Sequence, residues 1–181
     1  MKSSLQLCLI LIFGFLTLES CSEKKVADPF SNSNLSTFDP EGYHLKNEPS
    51  KQVRGQILYL PVYSSFPDFK DSSKFDMSAF LAFHNTDFKR SLTITRVQYF
   101  NSKGQLVHDF LKDRHIEISP LETVDYYIPY RDKSGTGANF LIEWMSDSLV
   151  NEPLVESITY SLKNQQTVAV LSNGKVLNER K

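Results

Sequence analysis

Phe140-Leu141-Ile142-Glu143-Trp144-Met145 decides the fold. Phe140, Ile142 and Trp144 point one way in an extended chain, and Leu141, Glu143 and Met145 point the other. Thr123 to Ile128 repeats the pattern, with Val124, Tyr126 and Ile128 on one face and Thr123, Asp125 and Tyr127 on the other. A period of two is that of a half-buried strand. Trp144, among large apolar neighbours, is the expected centre of the core.

Working outward, similar runs fall at Val53–Tyr63, Phe75–His84, Leu92–Phe100, Gln105–Leu111, His115–Ile118, Thr123–Tyr130, Ala138–Met145, Leu154–Leu162 and Gln166–Leu171. Turn residues separate them. Asn101-Ser102-Lys103-Gly104 puts glycine where a left-handed residue is needed, Asn173-Gly174 reads as a tight hairpin, and Ser119-Pro120-Leu121-Glu122 is a further reversal. No stretch downstream of residue 21 sustains a helical stripe. The expected fold is all-β, an immunoglobulin-like antiparallel β-sandwich of about seven to nine short strands.

The chain begins differently. Lys2 leads into Leu7-Cys8-Leu9-Ile10-Leu11-Ile12-Phe13 and Phe15-Leu16, then Leu18-Glu19-Ser20-Cys21 and the polar run Ser22-Glu23-Lys24-Lys25. A positive start and a short apolar core suit a secretory signal, since a membrane span needs about 20 apolar residues. The segment resembles a bacterial lipoprotein signal, with Leu18 and Ser20 at the apolar and small positions; Glu19 departs from that pattern. The resemblance implies cleavage before Cys21, attachment of palmitate-type acyl chains to it, and a lipid-anchored protein of the cell envelope. The outer membrane, facing periplasm or surface, is the expected location. Two or more acyl chains on one residue suffice for stable anchoring.

This divides the chain into a signal (1–20), a lipidated tether (21–52) and a domain (53–181). The tether is rich in Ser, Asn, Asp, Pro and Lys with scattered apolar residues. About 30 such residues reach roughly 30 Å on average and about 100 Å when taut. A rival reading folds Phe38 to Leu45 onto the domain.

Removing Lys2 and Glu19 with the signal leaves 19 basic and 20 acidic residues. That balance leaves no basic excess to hold phosphate backbones, which argues against a nucleic-acid role. On this reading Cys8 would leave with the signal and Cys21 is the expected lipid site, so the domain would hold no thiol for a disulfide, a nucleophile or a cysteine-built metal site.

Leu60-Pro61-Val62-Tyr63-Ser64, Asn85-Thr86-Asp87, Ile94-Thr95-Arg96-Val97-Gln98-Tyr99, Gly135-Thr136-Gly137-Ala138-Asn139-Phe140 with Glu143-Trp144, and Asn151-Glu152-Pro153 form an ordered set. In that order, over roughly Tyr59 to Val176, they resemble the bacterial family of domain of unknown function 3124. The resemblance implies an exported or lipid-anchored protein and carries no mechanism or cofactor with it.

Candidate chemistry is sparse. His108, Asp109, Asp113 and His115 crowd one hairpin and are of metal-binding type, the basis of a metal-dependent hydrolase reading. The histidines, however, stand seven residues apart across a turn with no third nearby, so solvated edge residues are the simpler account. His84 near Asp87 lacks a serine in a nucleophile-elbow context. Ser134-Gly135-Thr136-Gly137 precedes a strand, whereas a phosphate loop needs a helix. No cofactor or catalytic residue is expected, and the chain reads as a non-catalytic binding domain.

Two surfaces remain. If Gln105–Leu111 and His115–Ile118 are separate strands, counting reversals brings Asp87, Lys89 and Arg90 to the same end as Arg131, Asp132, Lys133 and Ser134. If they are one bent strand, Asn151–Pro153 joins Asn85–Asp87 instead. Lys112-Asp113-Arg114 reads as a break and favours the first. That rim suits a protein partner. The alternative surface is aromatic: Tyr127, Tyr130, Phe66 and Phe69, suited to a glycan or small ligand.

Overall fold

The computed structural model describes Phe30 and residues 35–39, 53–67, 73–163 and 166–180. The signal, Cys21, most of the tether and Phe69 lie outside them. Among the described residues there are strands and no helix: β1 (Ser36–Thr37), β2 (Arg54–Pro61), β3 (Ser65–Pro67), β4 (Lys74–Asp76), β5 (Ser78–His84), β6 (Leu92–Phe100), β7 (Gln105–Asp109), β8 (Ile116–Ile118), β9 (Thr123–Ile128), β10 (Asn139–Ser146), β11 (Leu154–Lys163), β12 (Gln166–Asn173) and β13 (Lys175–Arg180).

They form an antiparallel sandwich. The larger sheet has the order β1-β7-β6-β10-β2-β13, with β8 also on β6; the smaller has the order β12-β11-β5-β9. β3 and β4 make a separate ribbon. The all-β sandwich is as expected, although divided into more strands, because β1, β3 and β13 are too short or too polar to announce themselves by alternation.

The core is where the period of two places it. Trp144, Phe140 and Ile142 are fully buried, with Leu58, Leu60, Leu81, Phe83, Val97 and Ile128 around them. On β9, Ile128 is buried and Val124 and Tyr126 pack partly against the core, while Thr123, Asp125 and Tyr127 face solvent. Trp144 cannot leave its indole N–H unpaired in such surroundings. It donates to Gln56 Oε1 at 3.2 Å, and Gln56 Nε2 donates to Glu179 Oε1 at 3.1 Å. Gly55 lies beside this strand, and a Cβ there would meet the Trp144 carbonyl at 2.8 Å. Only glycine permits that approach.

Three expectations are corrected. β12 and β13 are not a hairpin: β12 pairs with β11 in one sheet and β13 with β2 in the other, so Asn173-Gly174 carries the chain across the sandwich. The tether is not wholly free, because Ser36–Thr37 pairs with β7, the Phe38 N–H donates to Gly104 O at 3.2 Å, and the Phe38 ring packs edge-on against Phe100. Phe30 likewise packs at 5.2 Å from the His108 ring. Lastly, β7 and β8 are both antiparallel to β6 and lie along its one edge, because β10 occupies the other. They therefore run in the same direction. Lys112 and Asp113 take left-handed φ values of 46° and 67°, which bends the strand without reversing it.

Candidate functional site

That bend decides which loops meet. The 85–91 loop lies beside 147–153, and 129–137 is at the opposite end, about a nine-residue strand (roughly 30 Å) away. The single rim expected from Asp87, Lys89, Arg90, Arg131, Asp132 and Ser134 is thus split between two ends. The favoured strand count fails, and the bent-strand alternative describes the molecule.

At the first end, Asn85 is buried in the middle of three loops. Its amide nitrogen reaches Arg90 O at 2.9 Å, Ile118 O at 3.1 Å and Ser119 O at 3.0 Å, and its Oδ1 accepts the Asp87 N–H at 2.9 Å. That last bond is an Asx-turn, the local geometry asparagine favours. The Asp87 carboxylate then accepts the N–H groups of Lys89, Arg90 and Asn151 at 2.8, 3.0 and 3.0 Å. These bonds, Lys89 first and Asn151 next, hold its carboxyl below the usual carboxylate range. Thr86 Oγ1 donates to Glu152 O at 2.6 Å, the Asn151 amide to Thr86 O at 3.2 Å, and the Arg90 guanidinium to Leu149 O. Arg54 closes the far side on Val150 O at 2.6 Å and Glu152 at 2.5 Å. The third loop is tied in by Asn85 N–H to Glu122 O at 2.9 Å.

This lattice displays apolar side chains. Phe88 is 75% exposed, Leu149 69% and Leu121 62%. Leu121 is held at a φ of 60°, a region bulky residues rarely enter. Lys89 and Arg90 are exposed beside Phe88, and Glu122, Asp147 and Glu152 are exposed on the neighbouring loops. Sequence reading gave Phe88 and Leu149 no role, since isolated apolar residues in polar loops carry no periodic signal. Asp87, Lys89 and Arg90 were the part of this loop that the sequence put forward.

At the opposite end, Asp132 and Ser134 turn inward. Asp132 is only 3% exposed. Its carboxylate accepts the Tyr99 hydroxyl at 2.6 Å, the Ser134 N–H at 3.1 Å and the Ser134 hydroxyl at 3.0 Å. Burial, with this carboxylate alongside, pushes the Tyr99 phenol up, so it remains a donor. Ser134 O takes bonds from both N–H and Oγ of Ser102, and Gly135, at a φ of 94°, lies against Ser64. Their role is to pin a loop to the core, not to face a partner. Tyr99→Phe removes one of three donors to a buried charge and is expected to lower stability by about 1.5–3 kcal/mol. Chemical denaturation checks it, and an unchanged midpoint would refute the role.

The aromatic residues are not gathered on one element. Tyr127 is half-exposed on β9 with its hydroxyl 3.1 Å from Ser78 Oγ. Tyr130 lies after it with the Arg131 guanidinium 5.7 Å from its ring centre, and Phe66 stacks on Tyr63 at 4.9 Å in the β3–β4 ribbon. His108 packs between Phe30 and Phe110, and burial, then the Lys112 charge, lowers its pKa. Asp109 instead accepts from Gln98 and from the N–H groups of Leu111 and Lys112. Among the described residues, no three His, Cys, Asp or Glu side chains are grouped as a metal site. His84 meets Thr123 Oγ1 at 2.8 Å and Glu156 at 3.6 Å, not Asp87.

No curated protein matches the chain. Among solved structures it is similar to the crystal structure of Thermotoga maritima 1070, at 17% identity over 66% of this chain and 92% of that one, with a TM-score of 0.36. A likeness that low bears on neither fold nor activity. Residues 55–177 match the model of the family described as protein of unknown function (DUF3124), which spans both sheets and all three loops of the Asn85 end, and the chain belongs to that family.

Proposed function

We propose that the protein is a non-catalytic, lipid-anchored domain of the bacterial cell envelope that binds a protein partner through its Asn85 end. The supporting observation is the display of Phe88, Leu121 and Leu149 on loops locked by Asn85, Asp87 and Arg90. Large apolar side chains exposed on loops of the same end suit an interaction site, and rigid backbone lowers the ordering cost of binding. A rim carrying both signs of charge suits a protein interface. A basic-only rim would instead suit an anionic membrane. The anchor rests on the Lys2 to Cys21 segment.

The test is in-cell crosslinking of the tagged full-length chain, comparing wild type with a Phe88→Ser/Leu149→Ser variant. A crosslinked protein is expected with the wild type and is expected to fall by roughly tenfold with the variant, which loses about 1.4 kcal/mol or more of binding. Both substituted side chains are exposed, so the variant should fold and fractionate normally. A crosslinked species that persists in the variant, or glycan binding lost in Tyr127→Ala, would overturn the reading.

A further inference from the structure

The sheet edges are not alike. Unpaired backbone groups along an edge are a template for another strand, and proteins blunt them with charge, bulges or brevity. β1 has two residues. β8 has three and carries Glu117. β9 carries Asp125. β13 carries Lys175, Glu179 and Arg180, and its register shifts between Val176 and Asn178. β12, Gln166-Thr167-Val168-Ala169-Val170-Leu171-Ser172-Asn173, is an edge of eight residues with no charge, proline or glycine. Among the described strands at sheet edges, β12 has none of these guards.

The same edge carries exposed apolar side chains. Leu171 is 76% exposed and Leu162 72%. The register places Leu171 opposite Ile158, which is opposite Phe80, and Thr167 opposite Leu162, all on the outer face of the smaller sheet. Leu171, Ile158, Phe80 and Ala82 line a shallow groove of about 240 Å³ there, bordered by His84 and Glu156.

We propose that β12 pairs antiparallel with β12 of a second copy of this chain, about a twofold axis perpendicular to the sheet. Such an axis keeps outer face with outer face, so a residue must oppose one of the same parity. With the axis on Ala169, Val168 opposes Val170 of the partner subunit, two side chains of a type that suits strands. Leu171 then opposes Thr167 of the partner subunit. One row across the joined sheet runs Phe80, Ile158 and Leu171, then Thr167 of the partner subunit and Leu162 of the partner subunit. The axis repeats this row, so one pairing sets each Leu171 beside Thr167 of the partner subunit and continues the outer face across both copies. Because the edge is uncharged, either axis, on Ala169 or on Val170, brings no like charges together. With the axis on Ala169, a second copy pairs the unguarded edge and continues the Phe80, Ile158, Leu171 row through one operation.

The test is oxidative crosslinking of the full-length chain in cells, with Ala169→Cys and Val170→Cys examined in turn. Residues opposite each other across an antiparallel pair have Cβ atoms about 4.5–5.5 Å apart, near disulfide range. Dimer is expected for one of the two and not for Asp125→Cys on the guarded β9 edge. Adding Leu171→Lys, a change at an exposed position, is expected to reduce that dimer by roughly tenfold. Crosslinking no greater than that of Asp125→Cys would overturn the proposal. So would a dimer indifferent to Leu171→Lys, or capture of a different protein in place of the second copy.

Discussion

Trp144→Ala is expected to destabilise the domain by about 3–5 kcal/mol, the range for deleting a fully buried large aromatic. Two costs combine. The indole is the largest fully buried side chain, so its removal leaves a cavity that the flanking strands cannot close without breaking their ladders. Its N–H also satisfies Gln56 Oε1 in the interior, and that oxygen would lose its donor. Trp144→Phe should retain most of the packing and cost about 1–3 kcal/mol through the orphaned oxygen. Since this is the sole tryptophan, urea unfolding must be followed by circular dichroism. A loss under about 1 kcal/mol for Trp144→Ala would show that this position is not the centre of the core.

Asn85→Ala should rank next, at about 2–4 kcal/mol, because one amide serves three backbone carbonyls and one N–H in a buried setting. Its effect should be local as well as global. The loops at 85–91 and 119–122 share this residue, and 147–153 hangs on Asp87, which Asn85 positions. Hydrogen exchange is expected to speed up first in those three loops, while Tyr99 and Asp132 at the far end remain protected. Partner crosslinking should weaken in parallel with the loop opening. Asn85→Asp should be no better than alanine, since a carboxylate offers acceptors to carbonyls that need donors. Uniform acceleration across the sandwich would mean that Asn85 supports the fold in general and does not organise the candidate site.

The two substitutions sit on either side of what the amino-acid sequence determined by itself. Alternation is a property of neighbours in the chain, so the period of two at Phe140–Met145 and Thr123–Ile128 was enough to identify strands, the sandwich class and the burial of Trp144. The Asn101–Gly104 hairpin was equally local, and Gly104 has the left-handed φ of 71° that its position called for. The family was legible from short motifs in a fixed order. What local pattern does not carry is direction after a break. Lys112-Asp113-Arg114 looks the same whether the strand reverses or merely bends; only pairing of both β7 and β8 along one edge of β6 settled it, and with it which loops share an end. Asn173-Gly174 suits a hairpin or a crossing between sheets equally well, and pairing with β2 chose the crossing. Asp132 and Ser134 read as surface polar residues until Tyr99, from a distant strand, supplied the donor that lets their cluster be buried. Tertiary structure decided these because each depends on partners far away in sequence, whose positions no local period encodes.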